Sequence, residues 1–125
     1  MYDYLQTLAS AATGTVTMTH GTVDLLTKSP LTNQLYVRWR ASAGSASSGT
    51  AKTYPVIDHS SDQNTWHFLT DGTVDALSLT STGSLAKVAF VPVNTNLRYI
   101  RLRTVIVGGT APTVTVSADL GIGNK

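Results

Sequence analysis

Apolar and polar residues alternate along short stretches of this chain, and turn-forming residues separate the stretches. The clearest stretch is residues 35–41, where Leu, Val, Trp and Ala alternate with Tyr and Arg. Such alternation places one face of a β-strand in a core and the other in solvent. About eight such stretches recur at intervals of about ten residues, a spacing typical of antiparallel sandwiches and barrels. We expect an all-β, antiparallel β-sandwich that is jelly-roll-like, and an immunoglobulin-like sandwich remains open.

The composition supports the all-β class. Glutamate is absent, whereas Thr occurs 20 times and Ser 12 times. Thr is β-branched and suits the solvent side of strands, while helix surfaces usually recruit Glu, Lys and Gln. Only 13% of the residues are charged and the net charge is +2, which suits a protein packed in an assembly. There is no cysteine, which excludes disulfides, thiolate metal sites and thiol nucleophiles.

The length of 125 residues predicts one domain. The expected divisions are an N-terminal arm at 1–12, a single sandwich at 13–120 and a C-terminal tail at 121–125. The arm is too apolar for a free tail, so we expect it to dock on its own sandwich or on a neighbour. Its aromatic residues and leucines are Tyr2, Tyr4, Leu5 and Leu8, and it could be a short helix or an extended arm.

Two internal segments carry local signals. The small residues at 42–49 (SAGSASSG) predict a flexible connection. Pro55 predicts an edge strand or a bulge, because proline cannot donate a hydrogen bond to a strand ladder.

Nothing in the sequence predicts a membrane span or an export signal. No run approaches the roughly 18 apolar residues that a transmembrane helix needs. The N-terminus lacks the basic and apolar regions of a signal peptide, so we expect the chain to fold in the cytosol where it is made.

Two strands share a pattern of Arg and Tyr on the face opposite their apolar residues. The polar-face residues are Tyr36, Arg38, Arg40, Tyr99, Arg101 and Arg103. If the strands are neighbours, these residues form one patch, with the Arg and Tyr enrichment of protein interfaces. The alternative is a solvated sheet face with Arg side chains lying over Tyr rings. Nucleic acid is a lesser option, since the basic excess is small.

No catalytic, cofactor or metal motif is present. His59 and His67 flank a hairpin with Asp58 and Asp62, yet no histidine spacing of a metal motif occurs and turn formation explains the acids. There is no nucleophile elbow, and the seven aspartates occupy turn-like or strand-end positions. We therefore expect no enzymatic activity and no cofactor.

The two tryptophans bear on carbohydrate binding. Trp39 lies on an apolar strand face and Trp66 alternates with Phe68, both patterns of a core. A sugar-binding platform requires one of these rings to be exposed.

The order of these features resembles a known family. After the arm come TGTVTMT and GTVDLL, then PLTNQLYVRWR, a Gly/Ser linker, YPVIDHSSD and a late RYIRLR. This order resembles the small capsid cement (decoration) proteins of tailed bacteriophages, in particular the Bordetella-phage type. The resemblance covers most of the chain as pattern and short words, with no catalytic motif.

The resemblance implies a jelly-roll-like protein on the outer surface of a virion. Its implied partners are the major capsid lattice and itself, as a homodimer or homotrimer, and it would clamp neighbouring capsomers. When one copy contacts several capsid subunits, weak contacts together give strong binding, because each contact raises the effective concentration for the next. We expect the arm and the patch of Arg and Tyr residues to form these contacts.

Two other functions remain open. A carbohydrate- or receptor-binding module of a phage tail or adhesin predicts an exposed Trp66 or Tyr54 beside the hairpin at 58–64. A small hydrolase on a jelly-roll scaffold predicts a cleft with perturbed carboxylates. The fold does not decide between them, because sandwiches host all three functions.

Overall fold

A computed structural model describes residues 2–25, 35–72, 76–81, 86–93, 95 and 97–123. Over these residues the chain forms nine β-strands. They are β1 (Tyr2–Gly14), β2 (Met18–Asp24), β3 (Leu35–Ser45), β4 (Ser48–Ser60), β5 (His67–Asp71), β6 (Leu77–Leu79), β7 (Lys87–Val93), β8 (Tyr99–Thr110) and β9 (Thr113–Gly123). The described residues include no helix that is long and apolar enough to cross a membrane.

The strands form two antiparallel sheets with a nested order. Sheet 1 has the order β1-β9-β3-β7, and sheet 2 has the order β2-β8-β4-β5, with β6 also paired to β4. The first strand therefore pairs with the last, β2 with β8, β3 with β7 and β4 with β5. These pairs are those of one long antiparallel hairpin. Further pairing of β9 with β3 and of β8 with β4 closes the hairpin into two sheets. The predicted β-sandwich is confirmed, and its strand order is that of a jelly roll.

The core lies between the two sheets, around Trp39. The indole Nε1 of Trp39 donates a hydrogen bond to Thr104 Oγ1 at 3.0 Å, and both residues are fully buried. Trp39 belongs to sheet 1 and Thr104 to sheet 2, so this bond joins the sheets through the core. The predicted apolar face of β3 is buried as expected. Its residues are Leu35, Val37, Trp39 and Ala41.

Both ends of the described chain belong to sheet 1. Residues expected to form an arm lie in edge strand β1, which pairs with β9 from Tyr2 opposite Gly123 to Gly14 opposite Val114. The arm thus docks on its own sandwich, where β9 supplies partners for its backbone. Likewise, residues 121–123 of the expected tail are the end of β9. Asn124 and Lys125 lie outside the described residues.

The small-residue segment at 42–49 is mostly strand rather than a flexible connection. Strand β3 continues to Ser45 and β4 begins at Ser48. Small side chains permit this close approach: a Cβ on Gly44 would lie 2.4 Å from Leu79 Cδ2 and 3.2 Å from the Thr113 carbonyl oxygen. The composition thus reflects crowding between strands.

Candidate interaction faces

The two strands with the Arg/Tyr pattern lie in different sheets. β3 is in sheet 1 and β8 is in sheet 2, so their outward side chains point to opposite sides of the sandwich. The single patch that neighbouring strands would give is therefore absent, and two separate surfaces replace it. We call them the β3 face, with Tyr36, Arg38 and Arg40, and the β8 face, with Tyr99, Arg101 and Arg103.

On the β8 face, one buried aspartate holds two arginines. Arg101 Nε donates to Asp58 Oδ2 at 2.9 Å, and Arg103 donates through Nε to Oδ2 at 2.6 Å and through Nη2 to Oδ1 at 3.1 Å. The register explains the geometry, because Asp58 in β4 lies directly opposite Arg101 and Arg103 follows on the same side of β8. The Asp58 side chain is only 4% exposed. A carboxylate buried to this extent requires such charge-assisted hydrogen bonds.

Aromatic side chains border these arginines. The Arg101 guanidinium carbon lies 4.6 Å from the centroid of the Trp66 ring, within cation–π range. Phe68 lies opposite Asp58 across the β4–β5 pair and is 61% exposed. Arg101 is therefore fixed by Asp58 on one side and by Trp66 over its plane, beside an exposed apolar ring.

The β3 face repeats the arrangement with a different aspartate. Asp119 in β9 lies opposite Arg38, which binds it at 2.9 Å, and Arg40 is 3.6 Å from the same carboxylate oxygen. Tyr36 is buried at 8% exposure, while Val88 of the neighbouring strand β7 is 48% exposed. Each central strand pair thus carries an aspartate between two outward arginines.

The fifth arginine has a partner of its own. Arg98 binds Asp24 with two parallel hydrogen bonds of 3.0 Å and 2.8 Å, and this bonding raises the pKa of Arg98. Its guanidinium also lies over the Tyr99 ring at 5.0 Å. This pair contains one positive and one negative charge, in contrast to the two-to-one clusters.

The sequence predicted the arginines but missed their acidic partners. The sequence predicts turn-like or strand-end positions for the aspartates. Asp58 lies near the end of β4, as predicted, whereas Asp119 lies in the middle of β9. Alternation places Asp119 on the outward face of its strand, where water normally solvates a carboxylate. The sequence therefore does not reveal that both carboxylates are buried beneath arginine side chains.

The arm residues contribute less to the described surfaces. Leu8 is buried at 7% exposure and packs with the core. The side chains of Tyr2, Tyr4 and Leu5 lie outside the described part of the structure.

The hairpin between β4 and β5 is organised by turn chemistry. Asp62 accepts hydrogen bonds from the backbone of Thr65 at 3.0 Å and of Asn64 at 2.9 Å, and these bonds lower the pKa of Asp62. His59 and His67 are cross-strand partners whose ring centroids are 6.5 Å apart. Within the described ranges, no three histidine or aspartate side chains gather as a metal site would require.

The aromatic residues considered for sugar binding do not form a bare platform. Trp39 is in the core, and Arg101 covers one face of the Trp66 ring. Tyr54 is half-buried.

No protein family matches the sequence, and neither a curated protein nor a solved structure gave a match.

Proposed function

We propose that this chain is a structural virion protein that binds the outside of a phage capsid lattice and stabilises it as a cement protein. The observation that carries the proposal is the β8 face, where Asp58 and Trp66 fix Arg101 beside the exposed Phe68. Arginine and aromatic side chains of this kind are enriched where proteins bind proteins.

Preorganisation makes the β8 face suited to binding. A long arginine side chain normally loses rotamer freedom when it is immobilised in an interface, at a cost of roughly 0.5–1.5 kcal/mol. Arg101 and Arg103 are already held by Asp58, so most of that cost is met during folding. Phe68 supplies apolar area that a partner can cover.

The jelly-roll architecture and the resemblance to decoration proteins support the same proposal. A rigid sandwich with binding faces on opposite sides can touch more than one neighbour in a lattice, and several weak contacts then act together. Self-association into a closed homodimer or homotrimer is part of the proposal, since closed symmetry is the usual arrangement of identical subunits.

Antibody labelling of virions tests the proposal. An antibody raised against the purified chain is applied to particles of the phage whose genome carries the coding sequence, and gold-labelled secondary antibody is located by electron microscopy. We expect label distributed over the outer capsid surface. A phage with the coding sequence deleted serves as the control.

The position of the label separates the alternatives. Label confined to the tail would overturn the cement function and favour the receptor- or carbohydrate-binding module. Particles that contain none of the chain by mass spectrometry would exclude a virion protein of either kind.

A further inference from the structure

We propose that the β8 face binds a carboxylate side chain of its protein partner, held by Arg101 and Arg103 and flanked by apolar residues. This inference rests on the proposed function for the identity of the partner, and the chemistry of the site stands on the geometry described above.

The charges on the β8 face do not balance. Arg101 and Arg103 carry two positive charges, and Asp58, to which both are bound, carries one negative charge. Asp58 is 4% exposed, whereas the two arginine side chains are 27% and 29% exposed. The unbalanced positive charge therefore lies at the surface, where one carboxylate would neutralise it. A phosphate dianion would leave an excess negative charge there.

Arg101 has hydrogen-bond donors left over. Its Nε is used by Asp58, and its Nη atoms make no hydrogen bond to any described residue. In the described part of the chain, the buried side-chain nitrogen and oxygen atoms without a hydrogen bond are Arg38 Nε and Thr53 Oγ1. The Nη atoms of Arg101 are therefore accessible to solvent. A guanidinium edge with both Nη groups accessible matches the two oxygens of a carboxylate.

The surroundings of Arg101 select the kind of ligand. Trp66 covers the plane of the guanidinium, so an anion approaches along its edge. Phe68 lies in β5, on the other side of β4, opposite the Asp58 that binds Arg101, and it contributes an exposed apolar surface on the same side of the sheet. An acidic residue between apolar neighbours fits this combination better than a free anion does, because its neighbours can cover Phe68.

Arg98 provides an internal comparison. It also lies over an aromatic ring, but its Nε and Nη2 atoms both donate to the carboxylate of Asp24. The edge of Arg98 that would bind a second carboxylate is therefore already occupied.

The experiment is an NMR titration of the labelled full chain with two short probe peptides. The probes are acetyl-Leu-Glu-Leu-amide and its Gln counterpart, acetyl-Leu-Gln-Leu-amide. We follow the Nε–H signals of Arg101 and Arg103 and the indole N–H of Trp66, with the buried indole of Trp39 as the internal reference. Saturable shifts with the Glu peptide and none with the Gln peptide are expected. Equal responses to both peptides, or no response, would overturn the inference.

A matched pair of variants localises the site. Arg101→Lys keeps the charge but loses the planar fork, so we expect the Glu peptide to bind at least about fivefold more weakly. Arg98→Lys is expected to bind as the wild type does. Equal weakening in both variants, or none in Arg101→Lys, contradicts the assignment. The wild-type comparison of the two peptides remains decisive if Arg101→Lys does not fold.

The titration and the labelling of virions fail independently. If the chain labels the capsid and the Glu peptide does not bind, the carboxylate site is wrong and the cement function stands. If the peptide binds and the virions carry no chain, the function is wrong and the carboxylate site stands.

Discussion

At the scale of single residues, two aspartates hold most of the arginine side chains in place. Asp58 and Asp119 together bind four of the five arginines of the chain. Each carboxylate lies on the outer side of its sheet but is almost fully covered by neighbouring side chains. A buried carboxylate without a cation would destabilise the folded state. The arginine-rich faces are thus part of the folded framework as well as candidate binding surfaces.

Replacing Asp58 tests this dependence. In Asp58→Asn, two partly buried guanidinium groups lose their counter-charge, and we expect the free energy of unfolding to fall by about 2–3 kcal/mol. The control is Asp24→Asn, which removes the partner of the exposed Arg98 and should cost less than about 1 kcal/mol. Urea denaturation measures both changes, and equal losses would contradict a special role for Asp58.

His20 lies at a second buried contact, next to the core. Its Nε2 is 2.7 Å from Thr104 Oγ1, the same oxygen that accepts the indole proton of Trp39. The Thr104 hydroxyl can then donate its own proton to His20 Nε2, which requires a neutral imidazole. Burial also lowers the pKa of His20, since the charged ring is poorly solvated there.

The lowered pKa predicts a pH dependence of stability. As the pH falls, His20 in the unfolded chain takes up a proton at its ordinary pKa of about 6.5. In the folded chain His20 takes up the proton only at a lower pH. The stability that the neutral His20 ring gives the folded chain is therefore fully present above pH 6.5. It is lost as the pH falls from 6.5 through the pKa of His20 in the folded chain. We expect His20→Gln to lose less stability than the wild type between pH 7.5 and pH 5.5 in urea denaturation. His67→Gln, at an exposed position, should behave as the wild type, and identical pH profiles for all three proteins would refute the prediction.

At the scale of strands, alternation predicted the core face of β3, but it wrongly placed Phe68 in the core and did not show which strands become neighbours. The buried face of β3 followed directly from its period of two. The assignment of β3 and β8 to different sheets did not, because strand pairing depends on contacts between distant parts of the chain. Consequently, the arginine pattern was predicted, whereas its division between two faces was not.

Pro55 shows how a local rule can give way to topology. Proline predicted an edge strand or a bulge, but β4 lies inside sheet 2 between β8 and the pair β5 and β6. Pro55 sits between the residues that pair with β6, ending at Thr53, and those that pair with β5, beginning at Val56. Its carbonyl oxygen accepts a hydrogen bond from the Gly72 amide, so the missing N–H falls in the gap between the two short strands.

Glycine substitutions test the crowding that replaced the predicted flexible connection. In Gly44→Ala, the new methyl group meets the fully buried Leu79 and a backbone oxygen, so we expect a loss of about 1–3 kcal/mol. In the control Gly14→Ala, the contact is the end of the flexible Met18 side chain, which can move aside. Thermal unfolding compares the two, and an unchanged melting temperature for Gly44→Ala would indicate a loose connection after all.

At the scale of the whole molecule, the two arginine faces point in opposite directions from one rigid core. The hydrogen bond from Trp39 to Thr104 ties the sheets together beneath them. The exposed Val88 lies on the side of the β3 face, and the exposed Phe68 lies on the side of the β8 face, where Val107 is also 49% exposed. Val88 and Phe68 allow the two sides to be tested separately.

Binding to capsids tests the central claim most directly. Capsids assembled by a phage that lacks the coding sequence are mixed with wild-type chain, Phe68→Ser or Val88→Ser, and the bound chain is measured by sedimentation. We predict saturable binding of the wild type, binding weakened about tenfold or more in Phe68→Ser, and a smaller loss in Val88→Ser. Failure of the wild type to bind would contradict the cement function, and undiminished binding of Phe68→Ser would contradict the β8 face as the contact.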